Sequence, residues 1–303
     1  MKYVAGAGIT NCDLLYSGIQ HLPEEGTEVY SKAFEMQLGG GAPAVMVNLT
    51  RLGVPAALST FLSNDFFSEY AKKEIERAGV PYQNLFAGDG MAVNVSSTMI
   101  TPGERTFVSY RDSFAVTEEM KEKIFCQLVG ADIVRMSPEM YDIYARLKAE
   151  KPEITLVMDT GWNEHMSLES YAKYLKLADY FTPNSKEAMK ITGTASPQRA
   201  AEVLSDYFEK TIIKLGGEGC LLLENGRTEI IPPLVGIRAV DVTGAGDAFM
   251  AGFLYGLYYE YPIRECILFG NVMGGKCTEK LGCLTASLTE KQMLEYVSLL
   301  RAS

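Results

Sequence analysis

The sequence predicts an α/β fold in which a mostly parallel sheet is covered by helices on both faces. Two observations predict it. Short β-rich runs alternate with helical patterns along most of the chain, the order expected of strand–helix–strand units. Among 303 residues, 47% are hydrophobic, enough for a sizeable core and against wholesale disorder.

In chain order, residues 3–9, 56–61, 133–136, 154–158, 180–182, 211–215 and 219–224 read as strands. Between them, residues 44–52, 66–78, 118–129, 168–178 and 197–208 carry helical spacing. Gly53, Gly79 and Gly130 each follow a helical stretch, as C-caps do. Two segments break the rhythm. Residues 12–38 hold turn formers and short extended runs. Residues 90–110 alternate around Val93, Val95 and Phe107, with a turn at Thr101-Pro102-Gly103-Glu104. Together these segments predict a small accessory sheet, a lid that keeps water from a cleft; a surface flap without a catalytic role reads the same way. The whole chain, 1–303, is expected to form one domain.

Charge and composition exclude several classes. Lys and Arg number 28 against 38 Asp and Glu, a net −10, which opposes binding of a nucleic-acid backbone. Six cysteines are scattered without a Cys-x-x-Cys pair, and two histidines leave little for a zinc site. Free thiols and a reducing compartment follow. Residues 3–9 run straight into Thr10, Asn11 and Asp13, which is a first strand and not a signal peptide. The longest apolar run, residues 248–259, falls short of the ~20 residues that cross a bilayer. The expectation is a cytoplasmic protein with no membrane partner.

The most informative stretch is Asp241-Val242-Thr243-Gly244-Ala245-Gly246-Asp247-Ala248-Phe249. Phe249, Phe253, Leu254 and Leu257 repeat at helical spacing, so a buried helix begins near Gly244, with Thr243 as its N-cap. Gly244, Ala245 and Gly246 leave amides at the positive helix end open to phosphate oxygens. Asp247 in that first turn then suits an acceptor hydroxyl, which it would orient and deprotonate during phosphoryl transfer. Asp241 is placed to organise the loop, beside a monovalent cation. A capped packing helix with two solvated aspartates is the competing reading.

Other pieces are weaker alone. Gly39-Gly40-Gly41 precedes a helix with Pro43 in its first turn, and reads as a backbone approach to a ligand or as a flexible loop. Asp13, just after the first strand, can bind two hydroxyls of a polyol at the sheet's carboxyl edge, or end a turn. Asn184 and Glu187 are three apart at a helix start, suiting phosphate and water-held Mg²⁺ or a plain N-cap. Lys214, Gly216 and Gly219 join two strands around nucleotide phosphates or form a simple turn, and Asn271 lines a nucleoside pocket. His21, His165 and Trp162 carry little weight. The absence of Gly-x-x-x-x-Gly-Lys-Ser/Thr removes a P-loop mechanism.

The Asp241 to Phe249 stretch resembles the C-terminal signature of the ribokinase-like, or PfkB, carbohydrate kinase family. Gly39-Gly40-Gly41, Arg51-Leu52-Gly53, Asn184-x-x-Glu187 and Lys214-x-Gly216-x-x-Gly219 fall in the family's order, so the resemblance covers nearly the whole chain. It implies a three-layer Rossmann-like sandwich with a small β-sheet lid that can serve as a homodimer surface. It implies ATP- and Mg²⁺-dependent phosphorylation of a sugar or polyol hydroxyl. Asp247 would be the base, and Gly244, Ala245 and Gly246 the anion hole. Asp13, Gly40, Gly41 and Arg105 would bind the acceptor. Asn184, Lys214, Gly216, Gly219 and Asn271 would bind ATP, with Glu187 holding Mg²⁺ through water. Asp241 and the Gly282 region resemble parts of a K⁺ site. One departure stands out: the family's acceptor-binding Asn falls on Ala44 or Val45, with Asn48 a turn further on, which alters the hydroxyl pattern recognised. Two alternatives remain at this level, a nucleoside kinase of the same fold and a non-catalytic sugar or nucleotide sensor.

Overall fold

The computed structural model describes residues 2–102 and 105–302; Gly103 and Glu104 of the expected turn lie outside the described residues. A six-stranded sheet forms the centre, in the order Tyr180–Phe181, Thr155–Met158, Ile133–Met136, Val4–Ala7, Ala56–Thr60 and Tyr82–Asn84. Every pairing in it is parallel. Both faces are buried, and the two-residue strand period divides them. Val4, Leu58, Ile133 and Val157 pack into one apolar cluster, with Ala5, Val134, Leu156 and Met158 in the other. Helices Ala42–Arg51, Ala245–Tyr258 and Ile263–Cys277 supply the first cluster; Glu118–Leu128, Tyr141–Glu150 and Leu168–Leu175 supply the second.

Two smaller sheets flank the centre. Lys210–Lys214, Cys220–Glu224 and Arg227–Ile231 form an antiparallel meander, joined to the main sheet by one parallel bridge between Asn184 and Lys214. Ala33–Leu38, Asn11–Ser17, Asn94–Ile100 and Arg105–Tyr110 form a four-stranded lid sheet in that order. Both irregular segments of the sequence therefore hold full strands.

The chain builds outward from Val4–Ala7 on one side, then returns to add Ile133–Met136 on the other. This reversal opens a crevice at the carboxyl ends of the two strands, where open α/β sheets bind ligands. Gly53 and Gly79 adopt the left-handed conformation that ends a helix, but Gly130 does not. Its helix ends at Leu128, and a side chain at Gly130 would instead strike the Tyr3 hydroxyl. Five cysteines are buried thiols and Cys126 is an exposed one. No helix among the described residues is long and apolar enough to cross a membrane.

Candidate active site

Helix Ala245–Tyr258 starts where the chain turns through Gly244 at φ 73°, ψ 3°. Only glycine adopts that geometry without penalty, and a Cβ there would collide with Cys283. No side chain caps the helix, and the first helical bond runs from Ala248 N–H to the Gly244 carbonyl at 2.9 Å. Thr243 is thus not the expected N-cap: its hydroxyl donates to Asp241 at 2.7 Å. Ala245 also departs from expectation, because its N–H bonds to the Val242 carbonyl at 3.3 Å. Gly244 and Gly246 remain on the wall of a cavity of about 820 Å³.

Asp247 lines the same cavity, half-buried in the first helical turn. The Gly41 N–H faces its carboxylate, and Gly40 passes so close that a Cβ there would sit 2.5 Å from Oδ2. That contact is the physical reason for a glycine at position 40. Burial pushes the Asp247 carboxyl up to about 6, and the Asp159 carboxylate adds to the rise. Arg135, the Gly41 N–H and Lys214 act in the opposite sense.

Three charged side chains at the sheet's carboxyl edge surround this acid. Arg135, at the end of Ile133–Met136, donates from Nη2 to Asp159 at 3.4 Å, and Lys214 Nζ lies 3.5 Å from the other Asp159 oxygen. Burial opposes the Arg135 charge, yet Asp159 and Asp247 hold its pKa above the ordinary value. Asn184 and Glu187 close a capping box, each side chain accepting the other's backbone N–H at 2.9 Å. Both still line the cavity, and burial pushes Glu187 up to about 7 against the pull of Lys214.

The other expected residues are distributed differently. Gly41 lines the cavity, whereas Asp13 stands behind Gly39, outside the lining, where burial and then Asp241 push its carboxyl up to about 6. The lid instead presents Asn11 and Asn94, linked to each other at 2.8 Å and to the Gly40 carbonyl at 3.0 Å. Arg105, expected to reach the acceptor, donates from Nη1 to Asp241 and to the Thr243 hydroxyl, each at 2.8 Å. Asp241 Oδ1 also accepts from the Thr243 N–H, and Oδ2 from the Gly282 N–H, both at 2.9 Å. Burial alone would raise this acid, but these bonds hold it below the usual range.

Gly216 and Gly219 stay outside the cavity wall, in the short turn Gly216–Glu218 and just after it. Asn271 is tied to the Ile231 and Pro232 carbonyls at 3.1 and 2.8 Å. Ala44 and Val45 are fully buried away from the cleft, and Asn48 turns to Ser287 at 2.6 Å, so none replaces the missing polar contact. Trp162 and His165, given little weight, do line the cavity. Arg135, Asp159, Asn11, Asn94 and Arg111 were missed, since nothing in their local spacing marks them.

A family model described as pfkB family carbohydrate kinase matches residues 1–291. The bifunctional protein HldE of Wolinella succinogenes is 26% identical over 91% of this chain. The chain spans only 60% of that relative's length. Ribokinase from Giardia lamblia superposes with a TM-score of 0.84 at 18% identity, covering 97% of this chain and 99% of the other. A nucleoside kinase from Methanocaldococcus jannaschii gives 0.81 at 18% identity, covering 99% of both. At such identities these structures establish the fold: a Rossmann-like α/β sandwich with a small lid sheet, as the resemblance implied.

Proposed function

The chain belongs to the pfkB family of carbohydrate kinases, and we propose that it transfers the γ-phosphoryl group of ATP to a hydroxyl of a small sugar or related polyol. The observation that carries this reading is Asp247 beside the uncapped helix start at Gly244 and Gly246, on one cavity wall. Amides at a positive helix end favour the charge of the moving phosphoryl group. The carboxylate beside them would orient the hydroxyl and take its proton, as a P–O bond to the acceptor forms and the bond to the leaving ADP breaks. Asn11 and Asn94 are the polar groups that the lid offers to acceptor hydroxyls.

Among the described residues no group of three His, Cys, Asp or Glu side chains is placed to hold a metal. Glu187 and Asn184 line the cavity and would hold, through water, a Mg²⁺ that arrives on the nucleotide and neutralises phosphate charge. A K⁺ at Asp241 fits poorly. Its Oδ1 already accepts three hydrogen bonds, from Arg105 and from two groups of Thr243.

A second reading, a nucleoside acceptor, is favoured by one feature. A further cavity of about 430 Å³ shares Gly8, Ile9, Arg111 and Glu139 with the first and is walled by Phe61, Phe114, Met140 and Tyr141. Such walls suit a flat base. Transfer of label from γ-labelled ATP into a panel of sugars, polyols and nucleosides tests both readings. Asp247→Asn should keep nucleotide affinity and lose roughly 10²-fold or more in kcat. Near-normal turnover in that variant would remove Asp247 from the base role, and no transfer to any acceptor would end the kinase reading.

A further inference from the structure

Arg135 was invisible in the sequence because it lies inside a short run of buried strand residues. In the structure it is 8% exposed, lines the cavity and stands beside both Asp159 and Asp247. A guanidinium carries five N–H donors in a rigid fork. Here one of them makes a single long bond, at 3.4 Å to Asp159, and the buried Nε has no partner among the described residues. Charge-assisted pairs settle nearer 2.7–2.9 Å, and a buried donor left unfilled is costly. Lys214 repeats the pattern: its Nζ sits 3.5 Å from Asp159 and 3.4 Å from where a Cβ on Gly246 would lie. Asp159 therefore holds two cations loosely, on the cavity that Gly244 and Gly246 of the helix start also line. Two held cations with spare donors on the same cavity as an amide nest make a seat for a multiply charged anion.

We propose that Arg135 is a further catalytic residue, whose fork grips the γ-phosphoryl group in the cavity it shares with the Gly244 and Gly246 amides, with Asp159 as its positioning partner. This rests on the kinase reading and adds to it a group that touches the moving phosphoryl. The grip tightens as charge spreads over the phosphoryl oxygens, so it serves the transfer step more than nucleotide binding. Lys214, next to Gly246, supplies the neighbouring point charge.

Calorimetric titration of Mg-ATP and Mg-ADP into the intact protein separates this role from a structural one. In Arg135→Met, ATP affinity should fall at least tenfold while ADP affinity changes less than about twofold, since ADP lacks the gripped group. With any acceptor that accepts label, kcat should fall on the order of 10²–10³-fold. Arg135→Lys keeps the buried charge and guards against loss of folding; it should show the same preference for ADP over ATP loss in smaller measure, because a point charge replaces the fork. Equal weakening of both nucleotides, or of neither, overturns the inference while leaving the kinase reading intact. A raised acceptor KM with unchanged ATP affinity overturns it too, by assigning Arg135 to the acceptor. If the unaltered protein binds neither nucleotide, the kinase reading falls first and takes this inference with it.

Discussion

Asp247 lies between opposing influences, and its titration reports which prevail. Burial and Asp159 raise it to about 6, against Arg135, Lys214 and the Gly41 N–H. A base must be ionised, so kcat/KM should be flat above pH ~6.5 and fall about tenfold per unit below ~6, with a single-proton limb. The stability consequence has the opposite sense. A carboxyl raised in the folded state contributes stability that is complete below its unfolded value near 4 and is lost as pH rises through 6. Asp247→Asn should therefore be the more stable protein at pH 8, on the order of 1–2 kcal/mol by urea unfolding, with the difference vanishing near pH 4. A wild-type activity limb that lies near 4, or equal stabilities at pH 8, would show that the carboxylate is not held in this environment. Asp247 was legible because glycines, a helix start and an acid coincide within a few residues. Arg135 was not, because its partner Asp159 lies 24 positions on, just past another strand, and Lys214, the second cation on Asp159, lies 79 positions away.

At the scale of elements, legibility followed local chemistry. Helix Phe66–Arg77 has its Asp65 cap accepting from two N–H groups and an apolar stripe, and the sequence placed it within a residue. Helix Tyr141–Glu150 follows Met140 with no side-chain cap, and its spacing alone did not reveal it. The lid was legible as a small sheet, because residues 90–110 alternate and residues 12–38 hold short extended runs; the length of strand Asn11–Ser17 was not, since its start lies among polar residues that follow the first strand. Arg105 shows what the lid does there. From an edge strand it ties the lid sheet to Asp241 and Thr243, the residues that lead into the helix start. Arg105→Met would leave Asp241 buried with less compensation, a loss of roughly 2–4 kcal/mol. Amide exchange at residues 241–244 and along Asn94–Ile100 should quicken together, because one contact restrains both. Faster exchange in the lid alone, with the loop unchanged, would break that link.

Across the whole molecule the lid sheet has two unlike faces, and the register assigns them. Residues directly across strands share a face, which puts Tyr16 with Phe34 and Met99, Leu14 with Met36, Ser97 with Val108, and Val95 with Tyr110. Asn11, Asp13, Gln37, Asn94 and Arg105 fall on the other face, toward the cleft. Helix Phe66–Arg77 meets the apolar face near Cys12, where the thiol meets the Phe67 carbonyl, and near Met36, where the Tyr70 hydroxyl donates to its carbonyl. Further out Phe34, Val108 and Tyr110 are 56%, 64% and 54% exposed. No residue that the register places on this face is charged, although the chain as a whole carries −10. A monomer gains nothing from turning its apolar lid face to water. We propose that two copies close face to face across it, an isologous pair in which the same strands meet each other. Each lid would then be braced by its partner while its polar face stays on its own cleft. Analytical ultracentrifugation at micromolar concentration should show a dimer, and Val108→Glu with Tyr110→Lys should give a monomer. Both side chains lie on the face away from the cleft, so the melting midpoint of that monomer should drop only with the lost contact and become independent of protein concentration. A wild-type chain that sediments as a monomer, or a dimer indifferent to both substitutions, would place the interface elsewhere and leave the exposed apolar face without an occupant.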